Sequence, residues 1–268
     1  MSVKKEPSGR RSVQVEVEIP GTPEEVWRAI STGAGVSSWF VPTKIEEKLG
    51  GKITIHFGPG MDSIATITSW EPPVRFAAED KWGENGPLIA TEWFVEARSG
   101  GVCIVRVVHS LFAETDDWDN QLEGTESGWP LYFRVLRLYM TQFRGMHGES
   151  FVATGFSPEP EAQTWDKLMQ MLSLANKAVG EKCKTGSDVP QISGTVELIS
   201  QAKAERALIL KLDRPGIALF SAANCGGATQ VYLGLYLYGD SAQDIASQES
   251  AWQAWMNERF PAPVPSES

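Results

Sequence analysis

The stretch TEWFVEARSGGVCIVRVVHSLF, residues 91–112, decides the fold together with ESGWPLYFRVLRLYMTQF, residues 126–143. The first reads as two long strands, 89–97 and 102–112, turned at Gly100-Gly101. The second places Trp129, Phe133, Leu136, Met140 and Phe143 at steps of 4, 3, 4 and 3, one apolar stripe of a helix. Pro130 is tolerated only near a helix start, so the helix is expected to begin there. A strand pair followed by one long amphipathic helix is the end of an α+β unit in which the helix closes a sheet.

Reading backwards, SVQVEVEI (12–19) alternates, with Val13, Val15, Val17 and Ile19 on one face. Thr22 caps a helix with Pro23 at its first position and Val26, Trp27 and Ile30 as its buried stripe. Gly33 and Gly35 break the chain before VSSWF, which Pro42 follows. Further strands are expected at 52–57, 64–70 and 74–79. In the second of these, Ile64, Thr66, Thr68 and Trp70 share one face, and Ala65 and Ile67 the other. Six or seven strands in sequence describe an antiparallel sheet.

Reading forwards, the order recurs in shortened form. A strand at 150–156 precedes a helix carrying Trp165, Leu168, Met169 and Leu172. Strands follow at 193–200, 206–213, 216–222 and 230–238, then a helix from Ser241 with Ile245, Trp252, Trp255 and Met256. In QVYLGLYLY, Val231, Leu233, Leu235 and Leu237 face one way and Tyr232, Tyr236 and Tyr238 the other. The expected organisation is a first domain over 12–145 and a degenerate, shortened copy over 148–260. Residues 1–11 and 261–268 are expected as flexible tails, and the link falls at the Gly-bracketed RGMHG near 144–148.

The 268 residues carry 24 Lys plus Arg against 34 Asp plus Glu, a net charge of −10, which disfavours nucleic acid and anionic membrane as partners. No apolar run supports a secretory signal or a spanning helix. Three widely spaced cysteines, Cys103, Cys183 and Cys225, read as reduced thiols of a cytoplasmic protein.

The segments VWRAIST, VSSWFVP, KLGGKITIHF, ITSWEPPVRFAAE and the two stretches quoted first appear in the order found in START-like (SRPBCC, Bet-v-type) proteins. More narrowly, residues 12–143 resemble the bacterial Aha-type branch, related to the activator of the heat-shock chaperone ATPase. The matching marks are Trp39-Phe40 before Pro42, Gly50-Gly51, the Trp70–Pro72-Pro73 turn and Gly128-Trp129. The resemblance implies a helix-grip fold, a curved antiparallel sheet around a long C-terminal helix with a cavity between them. Family members bind hydrophobic or amphipathic small molecules there, and some catalyse cyclisation or hydrolysis.

The residues agree with a binding site better than with a catalytic one. No HExxH, GxSxG elbow or phosphate-cradling glycine loop is present, so no metal, cofactor or catalytic set is expected. The glycine pairs at 50–51, 100–101 and 226–227 read as turns. Asp116, Asp117 and Asp119 read as complements to a helix dipole. The candidate ligand-binding residues are Trp39, Phe40, His56, Trp70, Phe76, Trp82, Trp93, His109, Trp129 and Phe133, an aromatic set with two histidines. Alternation lets only one of Glu92 and Trp93 face inward, and Trp93 is favoured. The leading expectation is a binder of a hydrophobic or amphipathic small molecule. One alternative is a cyclase- or hydrolase-type enzyme using His56, Glu92, Arg106 or His109. Another is a chaperone-activator-like interaction module. The duplication suggests an intramolecular pseudo-dimer, or a homodimer.

Overall fold

In the computed structural model, which describes residues 3–58, 61–81, 86–113, 118–202, 205–225 and 227–262, the chain divides into two units, 1–145 and 146–268. The first unit opens with strands β1 (Lys4–Lys5) and β2 (Arg10–Pro20), then helices α1 (Pro23–Ser31) and α2 (Gly33–Ser37). Strands β3 (Thr43–Ile45), β4 (Lys52–His56), β5 (Asp62–Glu71), β6 (Arg75–Lys81), β7 (Leu88–Arg98) and β8 (Val102–Phe112) follow, and helix α3 (Asp119–Leu138) closes the unit. The sheet is antiparallel, in the order β1-β2-β8-β7-β6-β5-β4-β3. The last long strand therefore returns to pair with the first.

Local chemistry explains the joints. Thr22 accepts from the Glu25 amide while Glu25 accepts from the Thr22 amide, a reciprocal cap for α1. Gly33 and Gly35, expected as breaks, lie inside α2. At Gly35 a Cβ would stand 2.0 Å from the Arg28 carbonyl, so only glycine lets the two helices meet this closely. Gly100 and Gly101 both have positive φ and turn β7 into β8.

Three expectations are corrected. First, β5 carries a bulge between Ile67 and Ser69, so its alternation changes phase. Ile64 and Thr66 precede the bulge and Thr68 is its extra residue; Ile64 is exposed while Ile67 is buried, and Trp70 then rejoins Ile67's face opposite Phe76. Second, α3 starts eleven residues before Pro130, which sits inside it. The helix ends in a π-helical turn, Tyr139–Phe143. Third, the described residues before Ser12 are not a free tail. Lys5 and the buried Arg11 each hold Asp119 at 2.7 Å, and Arg10 reaches Glu92 and Ser110. The Lys5 ammonium, and then the Arg11 guanidinium, hold the Asp119 carboxyl below its ordinary range. Asp116 and Asp117 lie outside the described residues.

The second unit has β9 (Gly148–Ser157), α4 (Glu161–Met171), β10 (Lys182–Lys184), β11 (Ser193–Ala202), β12 (Glu205–Leu212), β13 (Gly216–Cys225), β14 (Ala228–Tyr238) and α5 (Ile245–Arg259). Its sheet order is β10-β11-β12-β13-β14-β9, so again the last strand pairs with the first. The strand β10 has only three residues and leaves no periodic signal in the sequence. Val231, Leu233, Leu235 and Leu237 join Phe151, Trp165, Phe220, Trp252, Trp255 and Phe260 in one apolar core. Tyr236 and Tyr238, on the other face of β14, are fully buried as well.

Within this unit Gly155 backs directly onto the end of α5. A Cβ there would lie 2.5 Å from both Cβ and the carbonyl oxygen of Phe260, whose oxygen accepts from the Phe156 amide. Gly155→Ala should therefore cost about 2 kcal/mol, the usual scale of an overpacked contact with backbone. Chemical denaturation followed by tryptophan fluorescence reads this as a lowered midpoint. An unchanged midpoint would mean that the Phe260 segment moves aside freely.

Candidate functional site

The concave face of the first sheet is set by strand alternation. Phe76, Ala78 and Asp80 of β6 stand opposite Trp93, Thr91 and Ile89 of β7, and Thr91 stands opposite His109 of β8. With Ile53 and Ile55 of β4, these side chains line a cavity of about 680 Å³. Its remaining wall comes from Trp39 and Phe40 after α2 and from Gly124, Gly128, Trp129 and Tyr132 of α3.

Aromatic packing fixes the walls. Trp39 is almost fully buried, and its indole donates to the Ala29 carbonyl at 2.8 Å. Phe40 and Phe133 stack on Trp129, while Trp93 meets Trp129 edge-on at 5.0 Å. Rings locked at these angles define a fixed surface.

One polar chain runs through this aromatic wall. The Trp129 indole Nε1 donates to His109 Nε2 at 2.7 Å. Indole nitrogen is only a donor, so Nε2 carries no proton and the imidazole proton sits on Nδ1. This Nδ1–H then donates to Thr91 Oγ1 at 2.9 Å. Burial alone pushes the His109 pKa from 6.5 down to about 4, which keeps the ring neutral. The charged groups of the cavity lie elsewhere on its lining: Asp62, Asp80 and Lys81, where β5 begins and β6 ends. Asp80 accepts from the Ser63 hydroxyl and from the Lys81 amide.

Of the expected ligand-binding residues, Trp39, Phe40, Phe76, Trp93, His109 and Trp129 meet on the cavity. Phe133 is buried behind Trp39 and Trp129. The β5 bulge turns Trp70 onto the face of Phe76, where it packs against Trp27 and Phe76 and takes no part in the cavity lining. His56 turns to Asp62 at 2.9 Å and also stands off the lining. Trp82 lies outside the described residues. Trp93 does face inward. Glu92 and Arg106 are on the opposite face, where Glu92 pairs with Arg10 and Arg75 and Arg106 covers the Phe94 ring. Thr91, Ala78, Ser63 and Asp80 were absent from the sequence-based set. Steps of two from Trp93 and Phe76 along their strands would have found Thr91, Ala78 and Asp80. Among the described residues no group of three His, Cys, Asp or Glu is placed to hold a metal, and no helix is long and apolar enough to cross a membrane. Cys103 is a buried core residue whose thiol burial pushes up.

Residues 20–141, just under half of the chain, match the family described as activator of Hsp90 ATPase homolog 1-like proteins. No curated protein matches. Among solved structures, the chain is similar to protein MLL2253 from Mesorhizobium loti at 20% identity, over 50% of this chain and 98% of that one, with a TM-score of 0.46. It is similar to the Aha1 dimer from Colwellia psychrerythraea at 18% identity, over 50% and 98%, with a TM-score of 0.42. It is also similar to DynU16, titled a putative protein in the dynemicin biosynthetic locus, at 16% identity over 91% and 95%, with a TM-score of 0.42. The family match spans α1 to α3, the elements that build the helix-grip fold of the first unit.

Because folding depresses the His109 pKa, the unfolded chain takes up this proton first as pH falls below about 6.5. The linked stability is whole above pH 6.5 and is lost steadily down to about 4, roughly 3 kcal/mol in all. His109→Gln, which offers an acceptor to Trp129 and a donor to Thr91, should lack this component. Denaturation midpoints at pH 7, 5 and 4 test it: wild type should fall further than the variant, and parallel curves would refute it.

Proposed function

We propose that the first unit binds a hydrophobic or amphipathic small molecule in the cavity between its sheet and α3. The carrying observation is the cavity itself, about 680 Å³ and walled by Trp39, Phe40, Phe76, Trp93 and Trp129. Drug-sized ligands occupy cavities of this size, and apolar walls with a few polar groups supply most of their binding energy. The polar end of an amphipathic ligand would meet Asp62, Ser63, Asp80 and Lys81. None of the described lining residues belongs to the second unit, whose described core is filled by its own side chains. This reading gives that unit a supporting role.

A cyclase- or hydrolase-type reaction in the same cavity would have His109 as its one ionisable group among the four considered. The others turn away from the lining. The family match supports a second reading, an interaction module acting on a chaperone ATPase.

The test of binding uses N-phenyl-1-naphthylamine, a neutral apolar dye that brightens on leaving water. It should brighten with the wild-type protein. Ala78→Trp, which places an indole in the cavity, should weaken this about tenfold or more while circular dichroism stays unchanged. Undiminished binding by the variant would remove the cavity as the ligand site. Stimulation of purified Hsp90 ATPase by both proteins alike would then favour the interaction reading.

A further inference from the structure

We infer that Thr91 is a specificity-determining hydrogen-bond donor, and that the ligand presents to it an uncharged acceptor, a ketone or similar carbonyl on an aromatic or conjugated body. This rests on the cavity's being a ligand site.

The argument follows the protons. Trp129 Nε1 can only donate, so His109 Nε2 accepts and Nδ1 holds the ring proton. That proton occupies a lone pair of Thr91 Oγ1. The hydroxyl therefore cannot donate back to the imidazole, and its own hydrogen must go elsewhere. No other hydrogen-bond partner of this hydroxyl exists among the described residues, and Thr91 lines the cavity. A helix-borne indole thus sets, through one imidazole, which way a strand-borne hydroxyl offers itself.

The acceptor's charge follows from the neighbours. Thr91 is surrounded on the lining by Trp93, Ala78, Ile89 and the neutral His109. Among the described lining residues the only lysine or arginine is Lys81, at the far end of β6. A carboxylate or phosphate at Thr91 would be desolvated with no counter-charge beside it, a cost that one hydroxyl does not offset. A carbonyl oxygen loses far less than an ion on leaving water, and the Thr91 hydroxyl restores the hydrogen bond it gave up. Flat rings on several sides favour a flat ligand body, since offset stacking and edge contacts then add to area burial.

The experiment compares two naphthalene dyes. One is 6-propionyl-2-dimethylaminonaphthalene, whose ketone accepts hydrogen bonds and whose emission shifts red when it does. The other is N-phenyl-1-naphthylamine, which has no carbonyl. Thr91→Val should lower the ratio of ketone-dye to amine-dye affinity about tenfold and shift the bound ketone emission to the blue. Thr91→Ser, which keeps the hydroxyl, should restore both the ratio and the emission. An unchanged ratio in Thr91→Val, with both dyes still displaced by Ala78→Trp, would overturn this inference and leave the ligand site standing. Failure of both dyes to bind the wild type would overturn the two together. An independent reading comes from imidazole ¹⁵N shifts in the unmodified protein. A proton on His109 Nδ1 is expected, and one on Nε2 would overturn the assignment whatever the dyes do.

Discussion

The 2.7 Å hydrogen bond from the Trp129 indole to His109 is the point at which helix and sheet of the first unit become one object. Both partners are buried, so breaking the bond would strand two polar groups in an aromatic interior, at a cost of about 1–3 kcal/mol for each. The surrounding geometry follows from keeping it. Trp129 must hang from α3 at one height, so Phe40 and Phe133 find a fixed face to stack on and Trp93 a fixed edge to meet. The space left under this arrangement is the cavity.

Much of this was legible in the sequence because it depends on period. Alternation through 91–112 put Trp93 inward and Glu92 outward, and the 4-3-4-3 spacing marked the stripe of the closing helix. The failures share a cause, a local exception to period. Thr68 is the extra residue of a bulge, so Trp70 changed faces relative to Ile64. Pro130 sits where helix rules discourage it, which hid the first eleven residues of α3. The lysine and arginines before Ser12 looked like a solvated tail because their partners, Asp119 and Glu92, are distant in sequence. Thr91's place on the inner face follows from its step of two from Trp93, but the direction of its hydroxyl depends on the proton of a neighbouring ring, and no spacing rule records a tautomer.

The two units solve the same closure in different ways. Each returns its last strand to its first and lays a helix over the result. In the second, α5 delivers Trp252, Trp255, Met256 and Phe260 into a core already supplied by α4 and six strands, and Gly155 is reduced to a hydrogen so that the helix end can approach. In the first, the wall contributed by α3 alternates bulk and absence: Gly124 and Gly128 beside Trp129 and Tyr132. Missing side chains on the helix, as much as large ones on the sheet, leave the volume under it unfilled.

Pro130 gives that wall a further property. It brings no amide hydrogen to the helix, so the ladder of α3 lacks a rung just after Trp129. The segment before it holds two glycines, poor helix formers, while the segment after it is rich in leucine, valine and arginine. The two halves are thus joined by a seam of weak cooperativity, and the half before Pro130 is held by side chains: Asp119 by Lys5 and Arg11, and Trp129 by His109. That half of the helix stays wound because the sheet holds it, more than because its own backbone does.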